Sequence, residues 1–171
     1  MIKGEVSADG DGAQSSHRPH IRTTIDPVSK RIIEILQVDG RRPFASIAEE
    51  VKIDEAVVEQ RVQALTDAGV IQITAVSDPL QLGFARQAML GINVKKGSEK
   101  AVAQALGDVP EIVYIVLTAG GFDILAEVVG TSDAHLLELV TARVKPTPGV
   151  LSIHTFLYQE LQKQTYTWGV R

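Results

Sequence analysis

Cysteine is absent from all 171 residues. That excludes disulfides, thiolate catalysis and cysteine metal sites, and it fits a reducing cytoplasm. No apolar run of about eighteen residues occurs, so a membrane span is not expected. The N-terminus has no basic-then-apolar leader pattern, so export is not expected either. Net positive charge is also lacking. The chain carries a formal charge of -4, so as a whole it is no electrostatic match for a polyanion. HExxH, Walker, GxSxG and Rossmann patterns are missing as well. The histidines are His17 and His20 near the start, His135 and His154. They form no recognisable catalytic constellation, so no enzyme, cofactor or metal is expected.

What is present falls into four stretches. Residues 1–24 contain "SADGDGAQSSHRPH", rich in Gly, Ser, Asp and Pro and without periodicity, and read as a disordered arm. Its end, "HRPHIR", is either a solvated tail or a basic arm in which Arg18 and Arg22 touch phosphates. Residues 25–70 read as three short helices. Asp26 followed by Pro27 is a helix start, Ile25, Ile32, Ile33 and Leu36 form a stripe, and "DG" at 39–40 ends it. Pro43 opens a second helix with Phe44, Ile47, Ala48 and Val51 at helical spacing. Asp54 is placed to cap a third, in which Val58, Val62 and Leu65 face inward and Gly69 supplies the left-handed stop.

Residues 71–85 read as a connector and hinge, with "IQITAV" alternating as a strand and Pro79 blocking its continuation. Residues 86–171 read as strand, helix, strand, strand, helix, strand. Ala88, Leu90, Ile92 and Val94 line one face of the first strand. Ser98 caps a helix with Val102, Ala105 and Leu106 inward, and Ser132 caps another with Leu136, Leu137, Val140 and Val144 inward. The remaining strands are 111–118, 122–129 and 150–161. The chain is therefore α+β: an N-terminal three-helix helix-turn-helix domain plus a C-terminal ferredoxin-like βαββαβ sandwich. Two helices cover one face of such a sheet. Strands apolar on both sides imply a cover for the other, and a second copy of the chain is the expected one.

The succession "IDPVSKRIIEILQVDGRRPFASIAEEV", "VVEQRVQALTDAGVI", "DPLQLGF", "TAGGFDILAEVVG" and "GVLSIHTFLY" resembles the Lrp/AsnC (feast/famine) family of transcriptional regulators over about residues 25–165. The resemblance implies a helix-turn-helix that binds double-stranded DNA, and a C-terminal effector-binding domain. It also implies dimers that assemble further, often to octamers, with an amino acid or related small molecule as effector. Such a regulator works in the cytoplasm, on the nucleoid. Two departures stand out. Members commonly begin the third helix "GLSxxxVxxRV" where this chain has "KIDEAVVEQRV", which adds Glu55 and Glu59. "GGFD" also has phenylalanine where tyrosine is frequent.

Candidate DNA-contacting residues are Arg41 and Arg42 before the second helix, Lys52 in the turn, and Glu55, Glu59, Gln60 and Arg61 on the third. The third helix of such a motif enters the major groove while its neighbours rest on the backbone. A carboxylate there can accept from a cytosine amino group. Arg61 has a second reading, a salt bridge to an acid of its own domain. Residues 26–70 hold six Lys and Arg against nine Asp and Glu, so one head is expected to bind weakly and several heads together strongly.

The small-molecule candidate is Thr118, Gly120, Gly121, Phe122 and Asp123. Glycines let backbone amides approach a carboxylate, and Asp123 can pair with an ammonium group. A plain hairpin with Asp123 exposed is the alternative. Family effectors sit near this turn, between dimers, which brings in Ser152, His154 and Thr155. Two other functions stay open. One is a DNA-silent effector-binding module that acts on a protein partner. The other is a sirohaem-decarboxylase-like enzyme, a class that resembles paired copies of this fold and would use His135 or His154 on a tetrapyrrole.

Overall fold

The computed structural model describes residues 25–165 and 169–170. The expected arm, 1–24, lies outside them. The chain divides into two compact units between Gln72 and Ile73, and Gly169 and Val170 group with the first.

The first unit holds α1 (Pro27–Val38), α2 (Phe44–Val51) and α3 (Glu55–Asp67). The α1 start is as expected: the Asp26 carboxylate accepts from the amides of Val28 at 3.0 Å and Ser29 at 3.2 Å, and Pro27 has no amide to leave unpaired. At the end of α2, Lys52 has φ +57°, the only positive φ of a non-glycine among the described residues. A side chain there typically costs about 1–2 kcal/mol. Asp54 does occupy the N-cap of α3, but its side chain accepts no bond. Its carbonyl takes the first helical amides, from Val57 and Val58, while the exposed carboxylate is left to water, so the expected side-chain cap is not made. Gly69, at φ +65°, closes α3. Its amide reaches Thr66 O and that of Val70 reaches Leu65 O, both at 2.9 Å, which satisfies carbonyls the helix leaves free. Helices this short need a shared core to persist. Ile32, Ile35, Leu36, Ile47, Ala48, Val58 and Val62 supply it.

The expected connector strand is not formed. Residues 71–78 carry no regular structure, and Ile73 and Val76 are exposed. A strand needs a ladder partner for its amides, and alternation alone does not provide one. A 3-10 turn, Pro79–Leu82, follows, capped by the Asp78 carboxylate.

The second unit runs β1 (Arg86–Val94), α4 (Glu99–Gly107), β2 (Ile112–Leu117), β3 (Ile124–Gly130), α5 (Asp133–Glu138), a wider π-wound continuation (Leu139–Val144) and β4 (Val150–Leu157). The sheet is antiparallel in the order β2-β3-β1-β4, the ferredoxin-like βαββαβ arrangement that the pattern implied. One face packs against α4 and α5 through Ala88, Leu90, Ile92, Val102, Leu106, Ile124, Ala126, Val128, Leu136 and Val144.

Two inward assignments fail. Ala105 is exposed and Ala103 packs on the core instead, because a nine-residue helix presents only a narrow stripe. Leu137 is also exposed, and Leu139 is buried in its place. From Leu139 the winding widens to i→i+5, as in the bond from Lys145 N to Val140 O, which rotates the inward face relative to regular helical spacing.

The sheet's other face carries Tyr114, Glu127, Met89 and Phe156 in one row and Leu125, Gly91 and His154 in the next. Tyr114 and Phe156 remain half exposed. Apolar and aromatic groups thus line a face that the two helices leave open.

Candidate nucleic-acid interface and ligand turn

The head turns one side of α3 inward and the other to solvent. Val58, Val62 and Leu65 are buried, while Glu55, Glu59, Gln60 and Gln63 are exposed. Arg61 is not on that outer side. Its Nη1 donates to Asp26 Oδ2 at 2.7 Å and to Ser29 Oγ at 2.9 Å, and its Nε is buried without a partner. The salt bridge to an acid of its own domain, the second reading of Arg61, is therefore formed. The physical reason is position: Asp26 caps α1 with a carboxylate that also reaches Arg61.

Arg42 lies 3.3 Å from Glu50, which also holds Arg31 at 2.6 Å. Arg41 and Lys52 are exposed and make no ion pair among the described residues. Of the seven residues expected to meet DNA, Arg41, Lys52, Glu55, Glu59 and Gln60 are thus open to solvent, Arg42 is shared with an acid, and Arg61 is used by the fold.

The Thr118–Asp123 turn is tightly held at its ends and open in the middle. Thr118 N donates to Asp123 O at 2.9 Å and Thr118 Oγ1 to Phe122 O at 2.6 Å. Gly120 and Gly121 are exposed, and a Cβ on either would meet nothing within 4 Å. Asp123 is half-buried, not exposed as a plain hairpin would have it. Its Oδ2 accepts from Val94 N at 2.8 Å, which ties the turn to the end of β1.

Phe122 swings across the open sheet face. A Cβ on Gly91 would lie 2.8 Å from its ring, and the ring sits 5.3 Å from His154 and 5.9 Å, edge-on, from Phe156. Ser152 Oγ accepts from Asn93 Nδ2 at 3.0 Å. Thr155 is separated from this group. It pairs with Leu90, so it faces the helix-covered side, because neighbouring strand residues point oppositely. Gly91, Asn93 and Phe156 were not foreseen, although a glycine inside a strand already signals a close approach.

Two comparisons decide the family. Residues 25–66 match the AsnC-type helix-turn-helix domain, and residues 85–171 match an AsnC-type C-terminal dimeric alpha+beta barrel domain. The chain belongs to the AsnC/Lrp family of transcriptional regulators.

Among its relatives, the HTH-type transcriptional regulator FL11 of Pyrococcus horikoshii is 32% identical over 85% of this chain and 96% of that protein. The FL11 of Pyrococcus furiosus is 34% identical over the same shares. The fold matches Escherichia coli AsnC with a TM-score of 0.75 at 21% identity, over 83% of this chain and 97% of that one. It matches a Neisseria meningitidis transcriptional regulator, solved as its L-Met complex, with a TM-score of 0.75 at 22% identity, over 84% and 96%.

As an AsnC/Lrp regulator the chain has a DNA-binding helix-turn-helix head and a C-terminal domain of a dimeric class. Tyr114 and Phe156 are half exposed on the sheet face that α4 and α5 leave open. The relatives are named transcriptional regulators. His135 is on α5, on the covered side of the sheet, with its Nδ1 3.2 Å from Thr131 N, whereas His154 is on the open face. Among the described residues, no helix is long and apolar enough to cross a membrane.

Proposed function

We propose that this regulator is sequence-specific, grips DNA weakly with each head and strongly as an assembly, and is tuned by an amino acid at the Thr118–Asp123 turn. The observation that carries the first part is the outer side of α3, where Glu55, Glu59 and Gln60 are exposed and Arg61 is turned away to Asp26. Gln60 suits adenine, and the two glutamates suit the amino group of cytosine. Arg41 and Lys52 suit phosphates. Few phosphate contacts mean a shallow salt slope, about −0.9 for each, and little affinity from one head. Tethering further heads, as a dimer or an octamer would, raises avidity by about 10²–10⁴ without any new contact.

The effector reading is supported by exposed Gly120 and Gly121 amides beside a half-buried carboxylate. The L-Met complex of a structural relative points to the same ligand class. A ligand that prefers one assembly by about 1–3 kcal/mol would change DNA affinity by about 5- to 150-fold. Ser152 and His154 belong to the same end and face of the sheet.

Footprinting of the full chain on genomic DNA, with and without each amino acid, tests both parts. Discrete protected sites that respond to one amino acid are expected. Uniform weak protection at all sites would overturn sequence specificity. A thermal-shift panel with no amino acid active at millimolar level would overturn the effector reading. The acidic side of α3 favours one other reading, a DNA-silent module that acts on a protein partner, and the absence of any footprint at low salt would select it.

A further inference from the structure

Free positive charge is unevenly distributed in this chain. In the head, Arg31, Arg42 and Arg61 are tied to acids. In the second unit, Lys95, Lys96 and Lys100 lie on the β1–α4 link and the first turn of α4, and Arg143 and Lys145 lie at the end of the second helix. All five are exposed, and none makes an ion pair among the described residues.

The fold brings these two stretches together. Lys95 N donates to Gly149 O at 2.7 Å. Gly149 has φ +101°, and a Cβ there would lie 2.9 Å from Ser98 Cβ and 3.1 Å from Val102 Cγ2. The link and the turn after Lys145 are therefore in direct contact at one end of the sheet. Residues 95–100 and 143–149 hold these five cations against Glu99 alone, a local charge of +4, where the head is net negative. Glu99 is itself turned back onto Gly97 N at 3.0 Å. The other neighbouring acid, Asp123, has one oxygen on Val94 N.

We infer that Lys95, Lys96, Lys100, Arg143 and Lys145 form a second DNA-backbone surface, on the C-terminal domain, that adds phosphate contacts to the few that Arg41 and Lys52 offer in the acidic head. This rests on the chain binding DNA, as proposed above. Duplex DNA is the occupant because the charge is spread over two stretches and carried mostly by lysine. Lysine is a mobile point charge without the planar fork that orients a single ligand. A row of phosphates matches that arrangement, and its displaced counterions supply the driving force.

The test compares the full chain with a variant carrying Lys95→Gln, Lys96→Gln, Lys100→Gln and Lys145→Gln together. Binding to a footprinted duplex and to a random duplex of equal length is measured by fluorescence anisotropy across salt concentrations. Sedimentation checks that the assembly is unchanged. The variant is expected to lose affinity for both duplexes alike, at least about tenfold, with a salt slope shallower by about 0.9 for each phosphate no longer neutralised. Should the quadruple variant fail to assemble, Lys96→Glu alone is measured, with the same slope change expected in smaller degree.

A salt slope equal to that of the parent chain overturns the proposal. So does an affinity loss that tracks only with disassembly, or a loss of amino-acid response with DNA binding intact, which would make these lysines part of the ligand site. If the parent chain retains no duplex even at low salt, the DNA-binding reading falls and this surface falls with it. That result is distinct from one in which parent and variant bind alike.

Discussion

At the scale of single residues, the most heavily used side chain in the head is Asp26. Its carboxylate caps α1, accepts from the Ser29 hydroxyl at 2.6 Å and holds Arg61 at 2.7 Å. The Ser29 hydroxyl, then the Ser29 amide and the Arg61 guanidinium, bring its pKa from 3.8 down to about 2, against a smaller opposing effect of burial. A carboxylate depressed in the folded state stabilises it above the unfolded value and loses that contribution as pH falls through the folded one. The head should therefore weaken between about pH 4 and pH 2. Asp26 is 47% exposed, so the ion-pair share is screened and the bonds from the Ser29 hydroxyl and amide carry most of the effect. Asp26→Ala should lower stability at neutral pH by about 1–2 kcal/mol. Asp26→Asn, which still caps, should lower it by less. Denaturant unfolding of each, followed by helical circular dichroism, checks the order. Equal losses for both would mean that charge, not capping, dominates, and an Ala deficit unchanged at pH 2 would contradict the titration.

At the scale of elements, the Thr118–Asp123 turn and the open sheet face are mechanically joined. Phe122 belongs to the turn, yet its ring rests on Gly91 in β1, between His154 and Phe156 of β4. Gly91→Ala would put a carbon 2.8 Å from that ring. The ring is a side-chain end, so it can move, and the stability loss should be modest, about 1 kcal/mol. Once Phe122→Ala has removed the ring, Gly91→Ala should do little harm. A double-mutant cycle by thermal or chemical unfolding should then give a coupling of about 0.5 kcal/mol or more, and additive losses would show that the ring does not depend on this glycine.

This joint also marks the limit of what could be read from the residues. The Asp26–Pro27 start, the Gly69 stop and the β1 alternation were legible, because each depends on its own neighbours. Arg61 offered two partners of opposite meaning, and only the folded distance to Asp26 separates them. The connector looked like a strand because alternation reports a face, not the presence of a partner. Leu137 was placed inward because the spacing assumes regular winding, and the helix widens two residues later. Ser152, His154 and Thr155 are consecutive enough to read as one group, yet the pleat sends Thr155 to the other side.

At the scale of the whole molecule, the open face of the sheet and the weak grip proposed for one head bear on the same quantity, the number of heads that act together. The face is not uniformly apolar. Glu127 sits beside Tyr114 and Met89, accepts from Gln87 Nε2 at 2.8 Å, and adjoins Tyr158, whose pKa is pushed up to about 12 by burial and by this carboxylate. A partner that covers the face meets a carboxylate already held by its own neighbours, which limits the cost of removing it from water. A new charge there would have no such neighbours. Phe156 is half exposed in the single chain, so Phe156→Glu should leave the protomer folded while placing an unpartnered carboxylate in the covered face. Sedimentation should then show a shift toward monomer. If heads grip jointly, anisotropy should show duplex affinity falling by about 10²–10⁴, because separated heads no longer share an effective concentration. The monomeric variant should also show a shallower salt slope, since fewer phosphates are engaged per particle. A variant that sediments as a monomer yet binds duplex as tightly as the parent chain would mean that a single head suffices, and the acidic side of α3 would then need a different account.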